Sequence, residues 1–335
     1  VKIVVVDTDN QILYNRYRRH YSDVENSVEK ILDEMYIDLG NFHAAATVTG
    51  SGGLMVHKWL NIPFVQEVIA CSTAVETLIP GADIAIELGG EDAKITYFGG
   101  SLEQRMNGSC AGGTGAFIDQ MADLLDTDAR GLDKLSSRHE NIYPIASRCG
   151  VFAKTDVQAL LNQGAAREDI AASVFQSVVN QTITALACGR KIEGIVAFMG
   201  GPLHFLPELR KRFIETLELK EGEIIIPNNS QLFVAMGAAV ASRQNSTIDF
   251  RDLHDRLKHF DSSIKREIKR LRPLFNDKKE YNKFKDRHNR YDIEMPGIEK
   301  ARGNCFLGID AGSTTTKAVL IDDKRSIPVM IFNGH

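Results

Sequence analysis

The sequence has little cysteine, proline, tryptophan or net charge. Its 335 residues include 5 Cys, 9 Pro and 1 Trp, and the formal net charge is -4. A charge this small gives no overall attraction to nucleic acid or to a membrane surface. Apolar runs stay short of the roughly 20 residues that cross a bilayer, and no signal peptide precedes the first strand pattern. We therefore expect a cytoplasmic protein without a nucleic-acid or membrane partner.

Two further absences narrow the class of protein. Five cysteines in a large cytoplasmic chain are poor candidates for disulfides, so they are better interpreted as free thiols or metal ligands. The P-loop pattern GxxxxGK[ST] is missing, which argues against a P-loop nucleotide-binding enzyme.

The composition and the apolar periodicity predict a layered α/β fold. Hydrophobic residues make up 43% of the chain and charged residues 25%, as in ordinary globular proteins. The segment REDIAASVFQSVVNQTITALACGRK has apolar residues at helical spacing and predicts a long core helix. Short apolar runs predict buried strands at residues 3–6, 84–88, 95–98 and 195–199.

The composition changes after residue 245. Residues 249–302 contain 16 Lys or Arg against 11 Asp or Glu, a net charge of about +5. This stretch is either a basic docking surface, for an acidic partner or a CoA phosphate, or a solvated helical connector, and we favour the connector. We predict an ATPase domain over residues 1–245, a charged helical linker over 246–304, and the first strands of a second repeat over 305–335.

Three glycine-rich turns follow strand patterns and are candidate phosphate-binding turns. Glycine allows backbone N–H groups to approach phosphate oxygens closely. The first turn lies in DAGSTTTK (310–317), the second in IELGGEDAKI (86–95), and the third in FMGGPLHF (198–205). The candidate nucleotide-binding residues are Gly89, Gly90, Lys94, Gly200, Gly201, Pro202, Asp310, Gly312, Ser313, Thr314, Thr315 and Lys317. Glu91 and Asp92 are the candidate catalytic residues, and Asp310 is a candidate Mg²⁺ ligand through water.

The first residues of the chain repeat a pattern found near its end. VKIVVVDTDN aligns with TKAVLIDDKR, which places Lys2 on Lys317 and Asp7 on Asp322. The second pattern follows a strand and a phosphate turn, whereas the first does not. We therefore expect the first repeat to lack its first phosphate turn.

Cys110 and Cys149 each precede a glycine and a predicted helix. Helix N-termini favour thiolates and anionic iron–sulfur clusters, because their N–H groups are exposed and the dipole is positive there. A cubane cluster normally takes four cysteines, so two per chain predict a cluster shared across a two-fold interface. The alternative is that both are small packing residues. The pattern Thr155-x-x-Gln158 predicts a capping box after Cys149.

The order of the three turns resembles the actin, sugar kinase and Hsp70 ATPase superfamily. The resemblance implies two lobes around a nucleotide cleft, with ATP and Mg²⁺ between them. Within that superfamily, a cluster-free small-molecule kinase with Asp92 as base and a filament-forming ATPase are alternative functions.

The cysteine segments NGSCAGGTGAF and RCGVFAK strongly resemble the ATP-dependent activators of 2-hydroxyacyl-CoA dehydratases and the ATPase subunits of benzoyl-CoA reductase. This resemblance implies a [4Fe–4S] cluster held by Cys110 and Cys149 in a homodimer or pseudo-dimer. It also implies ATP-coupled electron transfer to the dehydratase or reductase, with ferredoxin or flavodoxin as the electron source.

Two departures from the family pattern accompany this resemblance. The first repeat lacks its phosphate turn, and Glu87 stands where many relatives carry Asp. The tandem layout resembles large fused activases, so we expect a fragment that does not hydrolyse ATP by itself. The other three cysteines, Cys71, Cys188 and Cys305, are expected to be small buried residues rather than ligands.

Overall fold

The computed structural model describes residues 1–108, 112–147, 149–258, 271–291, 297–301, 303–312, 315–323 and 329–334. The chain forms two compact units, Val1–Asp261 and Ser262–His335. Each unit is described below by itself.

Strands and helices alternate along the first unit, as the apolar periodicity predicts. Its strands are β1 (Lys2–Val6), β2 (Ile12–Tyr17), β3 (His43–Ala45), β4 (Ile84–Leu88), β5 (Ala93–Tyr97), β6 (Glu103–Met106), β7 (Val196–Met199), β8 (Ile224–Ile225) and β9 (Thr247–Asp249). Its helices are α1 (Val24–Leu39), α2 (Gly53–Leu60), α3 (Glu67–Leu78), α4 (Gly115–Leu124), α5 (Ala129–Ser136), α6 (Gly150–Asn162), α7 (Arg167–Thr182), α8 (Gly201–Phe205), α9 (Pro207–Thr216), α10 (Phe233–Ala241) and α11 (Phe250–Lys258).

A five-stranded sheet with the order β6-β5-β4-β7-β8 forms the larger core. The central strand β4 is antiparallel to β5 and parallel to β7, and all five of its residues are buried. A parallel pair requires a crossover connection, and helices α4 to α7 supply it here. Ile84, Ile86 and Leu88 pack into the core that contains α4, α7 and α9, whereas Ala85 packs toward α3 and α10. The alternation of β4 therefore buries both faces of the sheet.

Two short strand pairs lie outside that sheet. Strand β1 is antiparallel to β2, and β3 is antiparallel to β9. A third core, with Leu32 of α1, Trp59 of α2 and Leu253 of α11 among its members, stabilises this region. Strand β1 is only half-buried along its whole length, although it reads KIVVV.

The predicted long core helix is confirmed as α7, which continues into a π-helical turn at Ile183–Ala187. Arg167–Ala187 is long and apolar enough to span a membrane, but 67% of its apolar window is buried inside the protein, as in a core helix. The prediction that Cys188 lies buried in this helix is wrong. Cys188 is exposed and left-handed (φ 47°), and Gly189 after it also has a positive φ of 82°, so the helix ends there.

The second unit contains helix α12 (Lys278–Asn289) and the strands β10 (Cys305–Ala311), β11 (Thr315–Asp322) and β12 (Val329–Gly334). The strands form an antiparallel sheet in the order β10-β11-β12. Helix α12 contributes no buried residue, and every residue of β10 is exposed. The predicted boundaries at residues 245 and 304 stay predictions. In the structure, β9 and α11 pack into the first unit.

Candidate functional site

The predicted second phosphate turn connects β4 to β5. The N–H of Gly89 donates to the carbonyl oxygen of Asp92 at 2.7 Å and closes the turn. A methyl group added at Gly89 would lie 3.1 Å from that oxygen, so a side chain fits poorly there. Gly90 and Glu91 are exposed at the tip of the turn and line a large cavity of the first unit.

The predicted third turn follows β7 and packs against the end of β4. Gly200 has a φ of 90°, and a Cβ atom there would collide with the carbonyl oxygen of Leu88. Only glycine satisfies both conditions without strain. A Cβ atom on Gly201 would lie 2.7 Å from the hydroxyl of Tyr17, so the turn also approaches β2. The sheet thereby holds Gly200, Gly201 and Pro202 beside the turn at Gly89.

The residues at the start of α4, which follow the Cys110 segment, also contact the second and third turns. The N–H of Gly115 donates to the carbonyl of Gly89 at 3.0 Å, and the N–H of Ala116 donates to that of Gly90 at 2.7 Å. A methyl group on Gly115 would lie 3.3 Å from Cγ of Pro202. The second turn, the third turn and the start of α4 are therefore in direct contact, and two backbone hydrogen bonds tie α4 to the second turn.

A cavity of about 1400 Å³ opens beside these turns within the first unit. Residues of the second turn line it, together with β1, β3, α1 and α10. Ligand sites for small molecules usually measure roughly 300–1,000 Å³. The cavity is therefore larger than a usual small-molecule site and has room for a nucleotide.

A buried cluster of charges lies behind the second turn. The Nζ atom of Lys94 donates to Oε1 of Glu67 at 2.8 Å and lies 3.8 Å from Oε2 of Glu87 and 4.0 Å from Oδ2 of Asp92. Burial by itself would lower the pKa of Lys94, but the fields of Glu87 and Glu67 outweigh it and raise that pKa above its ordinary value. Lys94 is thus a buried, charged residue.

The prediction that Lys94 binds the nucleotide stays a prediction, and the alternative that it only solvates a strand end is excluded by its burial. Its side chain is 3% exposed, because the register of β4 on β5 places it opposite Glu87. Sequence reasoning also missed Glu67 as a partner. The sequence did indicate a special role for Glu87, because it is the only acidic residue in the otherwise apolar strand IAIEL.

The carboxylates around this cluster fit a nucleotide-bound Mg²⁺. Oε2 of Glu87 is buried and has no hydrogen-bond partner among the described residues, and Asp92 lines the same cavity. Among those residues no group of three or more His, Cys, Asp or Glu is arranged as a complete metal site. Mg²⁺ in nucleotide sites needs only one or two carboxylates, since phosphates and water supply its other ligands.

Cys149 lies close to a helix N-terminus, as predicted; it is the N-cap residue of α6 and is half-buried. A methyl group on the next residue, Gly150, would lie 3.4 Å from the ring of Phe117 in α4, so the two helices meet at their first turns. The predicted capping box is wrong: α6 already begins at Gly150, and the Thr155 hydroxyl donates to the carbonyl of Val151 inside the helix. The other predicted ligand, Cys110, lies outside the described residues.

The remaining cysteines differ in exposure. Cys71 is buried, as expected, and burial together with the nearby Glu87 carboxylate raises the pKa of its thiol. It therefore stays protonated and is a poor ligand. Cys188 and Cys305 are exposed, contrary to the expectation of buried packing residues, because Cys188 follows the helix end and Cys305 lies on the open strand β10.

The predicted first turn belongs to the second unit. Gly312 donates its N–H to the carbonyl of Thr315 at 2.9 Å, between β10 and β11, and Nζ of Lys317 donates to Oδ2 of Asp310 at 3.0 Å. Ser313 and Thr314 lie outside the described residues. The structure therefore brings the second and third turns together in the first unit and holds the first turn in the other.

A comparison with known proteins matches the first unit. Residues 2–242 match the model of the BadF/BadG/BcrA/BcrD ATPase family. The chain belongs to this family. The BadF/BadG/BcrA/BcrD match spans the first unit almost completely and includes the second and third turns.

Two relatives of this ATPase family member are named dehydratase activators. The 2-hydroxyisocaproyl-CoA dehydratase activator of Clostridioides difficile is 33% identical over 179 residues, which cover 52% of this chain and 65% of that protein. The activator of lactoyl-CoA dehydratase of Anaerotignum propionicum is 30% identical, covering 52% and 67%. The chain thus spans about two thirds of the length of these relatives.

Solved structures confirm the predicted actin-like ATPase fold. The Acidaminococcus fermentans (R)-2-hydroxyglutaryl-CoA dehydratase component A has a TM-score of 0.62 at 24% identity and covers 72% of this chain and 92% of its own. The Clostridium difficile 2-hydroxyisocaproyl-CoA dehydratase activator with bound ADPNP has a TM-score of 0.60 at 25% identity, with 81% and 94% covered.

Proposed function

We propose that this family member acts in an ATP-dependent iron–sulfur electron donor. That donor would activate a 2-hydroxyacyl-CoA dehydratase, or a related benzoyl-CoA-type reductase, by one-electron transfer coupled to ATP hydrolysis. The observation that carries the proposal is the pair of hydrogen bonds from Gly115 and Ala116 to Gly89 and Gly90. They connect a candidate phosphate turn to the helix that follows the Cys110 segment.

ATP is proposed to bind along the second and third turns. The backbone of Gly89 and Gly90 would face phosphate, and Gly200, Gly201 and Pro202 would face the nucleoside. Asp92 and Glu91 would hold Mg²⁺ or orient the attacking water, and Glu87 supplies a buried carboxylate behind them. Lys94 is too enclosed by carboxylates to serve as an exposed phosphate ligand, so it would act by positioning Glu87. Asp310, Gly312, Ser313, Thr314, Thr315 and Lys317 would form the equivalent first turn of the second repeat.

The cysteines are proposed to hold a [4Fe–4S] cluster with their counterparts in a homodimer or pseudo-dimer. When bound, the cluster would supply one low-potential electron. Cys149 supports this role because it is half-buried at the start of α6, where the exposed N–H groups and the positive end of the helix dipole attract an anionic cluster. Cys110 would be the second ligand of each half.

The packing of the first unit supports coupling between the nucleotide and the cysteines. A change in the turn at Gly89 on binding or loss of the γ-phosphate would be passed through the two hydrogen bonds to the start of α4. Helix α4 contacts the first turn of α6 through Phe117 and Gly150, so both cysteine-bearing helix starts would move together. The helix starts would thus have two arrangements in equilibrium, one before and one after the change in the turn. ATP could shift that equilibrium only by binding the two arrangements with different affinity.

The surface beside Cys149 is suited to a protein partner. The next apolar side chains, Val151 and Phe152, are 72% and 66% exposed. Exposed apolar residues grouped at a candidate redox centre indicate an interaction surface. We assign this surface to the dimer seam or the acyl-CoA enzyme, with a cytoplasmic ferredoxin or flavodoxin as electron source.

The test is anaerobic reconstitution with iron and sulfide, followed by iron analysis and absorbance near 400 nm. We expect about four irons per dimer, lost in Cys149→Ala and Cys110→Ala. Cys188→Ala, at an exposed cysteine that is not a predicted ligand, is the matched control and should retain the iron. ATP-dependent protection of the Gly89 turn from hydrogen exchange tests the nucleotide part separately. Colourless protein that still binds ATP would instead favour a cluster-free kinase.

A further inference from the structure

The second turn is attached to the chain on both sides of the segment that contains Cys110. On the far side, two backbone hydrogen bonds tie the start of α4 to residues 89–90. On the near side, Asn107 binds the other half of the same turn, at residues 91–93. One short turn therefore holds the chain before and after residues 108–114, and a change in that turn reaches both places at once.

Asn107 directly follows β6 and extends the pairing of that strand with β5. Its backbone N–H donates to the carbonyl oxygen of Ala93 at 3.0 Å. The N–H of Ala93 donates in return to Oδ1 of Asn107 at 2.7 Å, so the side chain takes the place of a strand carbonyl. Nδ2 of Asn107 donates to the carbonyl oxygen of Glu91 at 3.2 Å. The Asn107 side chain thus binds the residues on each side of Asp92.

This arrangement requires an amide at position 107. One short side chain has to accept from the N–H of Ala93 and donate to the carbonyl of Glu91, and asparagine carries both groups on one carbon. An ionised Asp has acceptors only, and Ser is one atom shorter. The two bonds at the start of α4 join backbone groups, so no side-chain substitution removes them directly. The Asn107 attachment can be removed by substitution and can therefore be tested.

We infer that Asn107 is a positioning residue that couples the second turn to the Cys110 segment. It holds the backbone of Asp92 from one side, while the N–H of Gly89 holds the Asp92 carbonyl from the other. When the turn responds to a γ-phosphate, Asn107 passes the change to the chain that precedes Cys110. The nucleotide part of this role rests on the proposed function, whereas the attachment of the turn by Asn107 does not.

Strand β6 contains a second amide that provides a matched control. Nε2 of Gln104 donates to Oγ1 of Thr96 at 2.9 Å, between the same two strands. This hydrogen bond resembles those of Asn107 in chemistry, but it does not involve the turn. Gln104→Met therefore removes an amide contact between β5 and β6 and leaves the second turn attached.

The first experiment uses the full chain without nucleotide or iron. Hydrogen exchange of residues 90–93, read by mass spectrometry, is measured together with the rate at which iodoacetamide alkylates Cys110. In Asn107→Leu both rates should rise at least about 5-fold, because the turn and the chain before Cys110 lose the same hydrogen bonds. Asn107→Ser should give the same result, and Gln104→Met should change each rate less than about 2-fold. Fluorescence of Trp59, buried in the third core, checks that each variant is folded.

The second experiment adds saturating ADPNP or ADP and measures coupling rather than local stability. We expect the alkylation rate of Cys110 to differ at least about 5-fold between the two nucleotides in the wild-type chain. In Asn107→Leu and Asn107→Ser this ratio should fall below about 2, whereas Gln104→Met should keep the wild-type ratio. A residue that only stabilises the end of β6 would change the rates with both nucleotides equally and leave their ratio unaltered.

Wild-type exchange and alkylation rates in folded Asn107→Leu would overturn the attachment. A wild-type nucleotide ratio in that variant, or an equal loss of the ratio in Gln104→Met, would overturn the coupling. A wild-type chain that binds neither nucleotide refutes the proposed ATP site, and the first experiment then decides the attachment by Asn107 alone. Because neither experiment contains iron, a failure of cluster assembly does not affect them.

Discussion

Replacement of Lys94 by Met should destabilise the first unit strongly. The change keeps an unbranched side chain of similar length and removes only the ammonium group. The Glu87 side chain is 4% exposed and would then be left as a buried carboxylate without its cation. Removing one partner of a buried ion pair typically costs about 3–5 kcal/mol. Glu67 is 27% exposed and regains some hydration, so we expect the lower end, about 3 kcal/mol.

Urea unfolding followed by Trp59 fluorescence measures this loss. The chain has one Trp, and it lies in the first unit, so the signal reports that unit alone. The free energy of unfolding falls by about 3 kcal/mol per M of urea for a unit of this size, so the urea concentration at the unfolding midpoint should fall by about 1 M. Lys154→Met, at an exposed position of α6, is the matched control and should change stability by less than about 0.5 kcal/mol.

The double variant Glu87→Gln/Lys94→Met identifies the cause. Removing the carboxylate charge as well should restore part of the loss, because no buried charge then remains unpaired. If Lys94→Met unfolds at the wild-type urea concentration, or if the double variant is less stable by the sum of both single losses, the assignment of a coupled buried pair is refuted.

The alkaline pH dependence provides a second readout of the same pair. The pKa of Lys94 is raised in the folded state, so its contribution is fully present below the unfolded value of about 10.4. It is lost as the pH rises through the folded value. The stability difference between wild type and Lys94→Met should therefore be constant from about pH 6 to 9 and should shrink only above about pH 10.4.

Three further predictions test other parts of the first unit. Gly200→Ala should unfold at a lower urea concentration and should weaken ATP binding, because the new Cβ would collide with the Leu88 carbonyl oxygen. The control Gly222→Ala lies in open space without a positive φ and should change neither stability nor ATP binding. Asp169 accepts N–H groups that lower its pKa. Asp169→Asn should therefore cost about 1–2 kcal/mol at neutral pH. In acid unfolding curves the difference should begin to shrink below about pH 4 and should vanish only below the lowered pKa of the folded state. Thiol labelling with mass spectrometry should modify Cys188 in the native protein and Cys71 only after unfolding; early labelling of Cys71 would contradict its burial.

Local sequence patterns predicted the turns of the candidate site well. Gly200 is required by a positive φ and a close carbonyl, and both conditions depend on residues adjacent to it or in the next strand. A helix near Cys149 was likewise predicted, whereas the capping box at Thr155 was wrong, because the helix already begins at Gly150. A capping pattern of four residues occurs often by chance, and the packing of α6 on α4 decides where the helix begins.

The charge partners of the second turn could not be predicted in the same way. Lys94 and Glu67 are separated by 26 residues in sequence, and their 2.8 Å contact depends on how α3 packs on the sheet. Exposure of Cys188 depends on a left-handed residue after a π-helical turn, which the helical periodicity does not indicate.

The sequence by itself determined the α/β class, the glycine turns and a helix that begins near Cys149, because each depends on backbone conformation and side-chain pattern over a few residues. It also determined the repeat that aligns Lys2 with Lys317. Only the tertiary structure decided that Gly89, Gly115 and Pro202 meet and that Lys94 is buried between carboxylates. Those features arise from contacts between segments far apart in the chain, where packing and burial, rather than local propensity, set the geometry and the charge.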